Sequence, residues 1–131
     1  MTKKYLYKAK VYYEDTDIGG IVYYANYLKF IERARTEMIY QQFKMSHQKL
    51  KKIYNIMFVV RTCNIKYIKP ANFEDELLIT TSIIKKTAVR LNLLQEISRN
   101  NELLVSAELE LAVVNTKSEV AKLPKDLLNT I

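Results

Sequence analysis

Gly19 and Gly20 are the only two glycines in a chain of 131 residues, and they stand side by side between an acidic run and a helical pattern. No other point in the chain can bend as sharply, because only a residue without a Cβ reverses direction there without strain. The segment over 12–38 reads YYEDTDIGGIVYYANYLKFIERARTEM. Ahead of the glycines, a β-like run over 8–13 ends in residues that favour turns. Beyond them, apolar residues fall at Tyr24, Tyr27, Leu28, Ile31, Ala34 and Met38. That spacing of three and four predicts one buried stripe on a helix. Glu14, Asp15 and Asp17 are thereby placed just before a helix N-terminus.

This placement has chemical content. The first N–H groups of a helix lack intrahelical acceptors, and the aligned peptide dipoles put about half a positive charge at that end. An oxyanion can be held there. A carboxylate alongside stays ionised at neutral pH, and can attack a carbonyl or take a proton from a water.

The rest of the chain supplies a sheet. Over 5–13, Tyr5, Tyr7, Ala9, Val11 and Tyr13 alternate with Lys8 and Lys10, which predicts a first strand. The helix is expected over 25–43, where Glu32 with Arg35 and Arg33 with Glu37 are spaced as opposite-charge pairs. A polar, basic stretch over 46–52 forms a short helix or loop, with His47 read as a surface residue. A strand over 57–69 is closed by Pro70, which cannot donate a ladder hydrogen bond. Cys63, inside that strand, is read as packing. Strands over 77–84 and 89–98 flank a basic link over 85–88, a hairpin by length. Asn100 and Asn101 make the next turn. Leu103, Val105, Ala107, Leu109, Leu111 and Val113 then alternate with Ser106, Glu108 and Glu110. Pro124 opens a tail of one or two helical turns. One strand, one long helix and four further strands predict an α+β fold, an antiparallel sheet wrapped around one apolar helix.

Whole-chain numbers exclude several classes. The chain is the size of one domain, 1–131, with 49% hydrophobic residues. One cysteine and one histidine rule out an internal disulfide and leave too few soft ligands for a typical structural zinc site. No metal or cofactor is expected. No apolar run approaches the ~20 residues that span a bilayer, and the opening MTKKYLYKAK lacks the apolar core of a secretory signal. A cytoplasmic protein without membrane insertion is the expectation. The net charge of +7 favours polyanions. The stronger reading is compositional, since a chain rich in Lys, Ile, Asn and Tyr is the bias of an AT-rich genome and carries such a charge without selection for anion binding. If the charge is functional, phosphates on a small molecule are as good a partner as nucleic acid, which is not an expected partner because the chain has no groove-reading or base-stacking motif.

The run Tyr13-Glu14-Asp15-Thr16-Asp17-Ile18-Gly19-Gly20-Ile21-Val22-Tyr23-Tyr24-Ala25-Asn26-Tyr27, followed by Glu32-Arg33-Ala34-Arg35-Thr36-Glu37-Met38, resembles the hotdog-fold acyl-CoA thioesterases. Among them it is most similar to the 4-hydroxybenzoyl-CoA thioesterase type, especially the branch associated with the bacterial Tol-Pal envelope system. The resemblance continues through Phe58-Val59-Val60-Arg61, Tyr67-Ile68-Lys69-Pro70-Ala71 and Leu123-Pro124. It implies a five-stranded hotdog sheet, Asp17 as the catalytic carboxylate, and a backbone N–H near Tyr24 polarising the thioester carbonyl. Gly20, Val22, Tyr23 and Asn26, in the same motif, are the expected substrate-binding neighbours. Glu32 is set aside as a solvated residue, because Asp17 fills the catalytic position. Lys85, Lys86 and Arg90 are candidates for the phosphates of coenzyme A, and Arg61 for the site or an inter-subunit contact. The resemblance also implies dimers whose sheets join, pairing into tetramers. The Tol-Pal branch usually carries His where this chain has Tyr24, whereas aromatic-acyl members carry Tyr. Acyl-CoA is the implied substrate, with acyl carrier protein as a second possible carrier. The alternative is a non-catalytic hotdog module that binds acyl groups or acyl carrier protein.

Overall fold

The computed structural model describes residues 3–131, so the first two residues of MTKKYLYKAK lie outside it. Five strands form one sheet: β1 (Tyr5–Lys10), β2 (Met57–Tyr67), β3 (Glu76–Lys86), β4 (Arg90–Arg99) and β5 (Glu102–Val114). Their order is β1-β3-β4-β5-β2, and every neighbouring pair is antiparallel. The long helix α1 (Tyr27–Phe43) is followed by α2 (His47–Tyr54), and a short α3 (Lys125–Leu128) lies near the end of the chain. The expected hotdog arrangement, an antiparallel sheet with one long helix against it, is the one observed.

α1 buries Tyr27, Phe30, Ile31, Ala34, Met38, Ile39 and Phe43. The inward residues of the strands form the opposing wall, including Leu77 and Ile79 on β3, Leu91, Leu93 and Ile97 on β4, and Val105 to Val113 at every second position on β5. Each large side chain removed from water here contributes about 1.5–3 kcal/mol. The helical stripe departs from expectation at two places. Tyr24 precedes α1, in a tighter 3-10 turn (Tyr24–Asn26) that is out of phase with the helix, and is 60% exposed. Leu28 sits at the margin of the buried face and is 46% exposed. Among the described residues, neither Glu32 with Arg35 nor Arg33 with Glu37 closes an ion pair. Glu32 Oε1 instead accepts from Thr36 Oγ1 at 3.1 Å. Exposed charge pairs gain too little to hold two long side chains together.

Strand boundaries shift for local reasons. β1 stops at Lys10 because the Tyr12 N–H is taken by Asp15 Oδ2 at 2.9 Å, which turns the chain early. Lys85 and Lys86 belong to β3 and not to the hairpin link, because a register shift between Ile83 and Lys85 lets β3 run on. The turn that remains is closed by Thr87, whose N–H donates to Arg90 O at 2.8 Å. A second shift, between Ile97 and Ser98, leaves Leu103 37% exposed and buries Leu104. β2 ends at Tyr67, short of Pro70, and pairs only with β5. As an edge strand it leaves Cys63 exposed, not packed. The Asn100 and Asn101 turn is as expected, both with positive φ, at 50° and 64°. Among the described residues, no helix is long and apolar enough to cross a membrane.

Candidate active site

The Asp17 turn is built by its own backbone. The Asp17 N–H donates to Ile21 O at 2.9 Å, the Gly20 N–H donates back to Asp17 O at 3.0 Å, and Thr16 bridges Val22. Gly20 takes a φ of +78°, the left-handed value such a reversal needs. The carboxylate of Asp17 is exposed, with Oδ1 accepting the Gly19 N–H at 2.8 Å. Among the described residues Oδ2 has no donor, so one carboxylate oxygen is fixed and the other points at nothing in the chain.

Asp15 is different in kind. It is 7% exposed, and its Oδ2 is occupied by the Tyr12 N–H. Its carbonyl accepts both the Tyr23 N–H, at 3.0 Å, and the Asn26 Nδ2, at 2.9 Å. Asn26 therefore reaches back to the acidic loop instead of capping α1, and that bond ties the 3-10 turn to the Asp17 turn. Ordered helical geometry begins at Tyr24, with Tyr23 as its flanking residue. Among the described residues, the Tyr24 and Ala25 N–H groups have no acceptor. They are the orphan donors that open any helical segment.

A second segment braces this one from behind. The Val22 N–H donates to Ala71 O at 2.9 Å, the Phe73 N–H donates to Gly20 O at 3.0 Å, and Ile21 bridges Asn72. Tyr13 stacks on Phe73 with ring centroids 4.0 Å apart. The buried Tyr27 hydroxyl accepts the Ala71 N–H at 2.9 Å. Burial pushes the Tyr27 phenol up, with the Ala71 bond and Arg99 opposing and Asp75 adding. Arg99 anchors the same segment through Asp75, and reaches Glu102 at 2.8 Å. Sequence reading did not single out Tyr27 or Arg99 for this role. The tyrosine was visible only as one member of an apolar stripe, and its polar end had no local partner to reveal it. Tyr67, at the end of β2, also joins the site, with its ring 6.0 Å from that of Tyr24.

The basic candidates lie elsewhere in the chain. Arg61 and Arg90 share Glu110, at 3.0 Å and 3.7 Å. Lys86 Nζ donates to the carbonyl of Leu128 at 3.3 Å and to that of Ile131. Lys85 and Lys86 border a cavity of about 580 Å³, also lined by Lys3, Tyr5, Gln42 and Lys44. The Asp17 turn is braced beside the opposite end of β3, a strand some ~33 Å long at 3.3 Å per residue. One chain therefore brings Asp17, Gly20, Val22, Tyr23, Tyr24 and Asn26 together, but not Arg61, Lys85, Lys86 or Arg90. His47 is exposed on α2, with Nε2 3.3 Å from Thr36 O, and takes no part.

A sheet of this order curled against one long helix, with a carboxylate turn tied to the first turn before that helix, defines the hotdog-fold class. Residues 11–131 match the thioesterase-like superfamily, and the chain belongs to it. It is 39% identical over 129 residues to an acyl-CoA thioester hydrolase, YbgC, of Escherichia coli O6:H1, covering 97% of this chain and 95% of that one. It is 35% identical over 122 residues to the acyl-CoA thioesterase YbgC of Haemophilus influenzae, covering 92% and 89%. The crystal structure of a probable thioesterase from Bartonella henselae superposes with a TM-score of 0.86 at 31% identity, covering 95% of this chain and 100% of that one.

Proposed function

We propose that the protein hydrolyses an acyl-CoA thioester to a free acid and coenzyme A, with Asp17 and the Tyr24 turn carrying the reaction. The observation that carries this reading is the pairing of a half-fixed, solvent-facing Asp17 carboxylate with the open N–H groups of Tyr24 and Ala25, joined through Asp15. The thioester carbonyl accepts from the Tyr24 N–H, where charge develops on oxygen. Asp17 acts on the carbonyl carbon as nucleophile, or as the base that activates a water. A lost oxyanion donor costs roughly 100- to 1000-fold in turnover. The activity named for the bacterial relatives supports the same class of reaction.

Val22, Tyr23, Gly20 and Asn26 shape the approach to the carbonyl. Phosphates of coenzyme A are met by Lys85, Lys86 and Arg90 of another subunit, since those of the same chain stand at the far end of β3. A homodimer joined along the open edge of β2, with Arg61 near the joint and dimers pairing into tetramers, supplies that neighbour. The motif over 13–38 supports an enzyme of the Tol-Pal-associated branch, acting in the cytoplasm on acyl groups carried by coenzyme A or by acyl carrier protein, the compartment resting only on the sequence expectation above.

Thiol release measured over short, long and aromatic acyl-CoAs tests the reading. Asp17→Ala and Asp17→Asn proteins that fold normally should lose nearly all turnover while still binding substrate. Full activity in either sinks the mechanism. Binding of every substrate without thiol release by the parent protein would instead establish a non-catalytic module. Single-turnover hydrolysis in isotope-labelled water tests direct attack, because label enters the Asp17 carboxylate only when water opens a mixed anhydride at the Asp17 carbonyl, whereas trapping the anhydride with hydroxylamine reports it whichever carbonyl water attacks.

A further inference from the structure

Tyr67 is the last residue of β2, and its ring meets two others from the start of the helix. The Tyr24 ring stands edge-on to it, with centroids 6.0 Å apart and planes at 84°. Tyr27 lies 5.7 Å away at 47°. Tyr27 is 3% exposed, and its hydroxyl accepts the Ala71 N–H. Tyr24 also meets Tyr23, with ring centroids 5.0 Å apart and planes at 50°. Tyr24 and Tyr67 nonetheless keep 60% and 46% of their surface open. Two exposed rings held nearly perpendicular make a preformed corner. Aromatic faces are electron-rich and edges electron-poor, so a planar group can stack on one ring while offering its edge to the other. A saturated chain gains only burial.

We infer that Tyr67 determines acyl specificity, closing with Tyr24 a corner that favours planar aromatic acyl groups over straight chains. This rests on the function proposed above. A carbonyl held by the Tyr24 N–H carries its substituent away beside the Tyr24 side chain, and Tyr67 is the ring on that side chain's edge. Tyr67 meets the acyl group and not the reacting atoms, so its loss changes discrimination and leaves the bond-breaking groups in place.

Binding of S-benzyl-CoA and S-hexyl-CoA, thioethers that cannot be hydrolysed, separates recognition from turnover. The full chain should prefer the benzyl analogue by roughly 3- to 10-fold in calorimetry. Tyr67→Phe should keep that preference, and Tyr67→Leu, which keeps apolar bulk without a ring, should abolish it. With benzoyl-CoA and hexanoyl-CoA as substrates, the ratio of kcat/KM should fall by the same factor in Tyr67→Leu, mainly through KM. A parent protein with no preference, or a preference unchanged in Tyr67→Leu, overturns the inference. The proposed hydrolysis fails separately, if the parent discriminates between the thioethers yet releases thiol from neither thioester.

Discussion

Asp17 Oδ1 accepts the Gly19 N–H at 2.8 Å, and a Cβ on Gly19 would stand 3.3 Å from that same oxygen. The two glycines therefore do different things. Gly19→Ala presses on the carboxylate without straining the backbone, so turnover should fall roughly 10- to 100-fold, the cost of a displaced reacting group. Its urea midpoint should barely move. At Gly20 a Cβ meets open space, but φ is +78°. Gly20→Ala should cost about 1–2 kcal/mol in stability. Thiol release and urea unfolding on both variants check the contrast. Equal losses of stability would show that the two positions are one turn requirement and not two.

Tyr27 links stability to alkaline pH. Its phenol is pushed above the usual tyrosine range, chiefly by burial, and burial shifts Tyr5 and Tyr67 the same way. A raised folded-state pKa stabilises fully below the unfolded tyrosine value near ~10, and the contribution is lost as pH rises through the folded value. The parent should therefore weaken as pH climbs from about 10. Tyr27→Phe leaves the Ala71 N–H without its acceptor, and should be about 1–3 kcal/mol less stable at neutral pH. Its alkaline decline should be shallower. Urea unfolding across that range decides, and parallel curves would remove Tyr27 as a source of the pH dependence.

Where a pattern is local it could be read from the chain, and where it depends on strand order it could not. The alternation of Val105, Ala107, Leu109, Leu111 and Val113 marks one wet and one dry face, and the structure keeps that phase. The Asp17 turn was equally legible, since Asp15, Gly20 and Asn26 all act within a few residues or through one short ladder. β2 was not. Cys63 read as a packed residue, and its exposure follows from the order β1-β3-β4-β5-β2, which no property of β2 itself encodes. The same holds for the brace between Tyr27 and Ala71, 44 positions apart. Lys85, Lys86 and Arg90 have the right charge for phosphate, but their distance from Asp17 is a property of the whole sheet.

The open edge of β2 carries the proposed assembly. β2 is eleven residues long and pairs on one side only, and Val59 and Val60 are 43% and 44% exposed. Unpaired edges of this length template pairing with another chain, and lysine on an edge blocks it. In sedimentation velocity the parent should run as a dimer or tetramer, and a Val59→Lys, Val60→Lys double variant should run as a monomer. Because the phosphate contacts are assigned to a neighbouring subunit, KM for acyl-CoA should rise with dissociation. A parent that sediments as a monomer with full activity would remove the inter-subunit site.

Gln95 is the one long polar side chain on the inner face of β4, fully buried between Leu93 and Ile97. Its Nε2 donates to the Ile31 carbonyl on α1 at 3.0 Å and to Thr81 Oγ1 on β3 at 2.9 Å. Among the described residues its Oε1 has no partner. The residue thus pins helix to sheet at the centre of the core while leaving one polar atom unpaired. Gln95→Ala opens a cavity and strands the Thr81 hydroxyl, and should cost about 1–3 kcal/mol. Replacing both partners is different. A Gln95→Leu, Thr81→Val double variant keeps the volume filled and removes every buried polar atom of the pair, while the Ile31 carbonyl retains the helical bond common to mid-helix carbonyls. Its stability should match or exceed the parent, because an apolar pair of like shape has no desolvation penalty. What it loses is the polar pin that selects one seating of α1 on the sheet. Since α1 begins just after the Tyr24 turn, that loss should appear as lower turnover with unchanged or higher urea midpoint. Turnover and stability falling together in the double variant would mean that Gln95 serves packing alone.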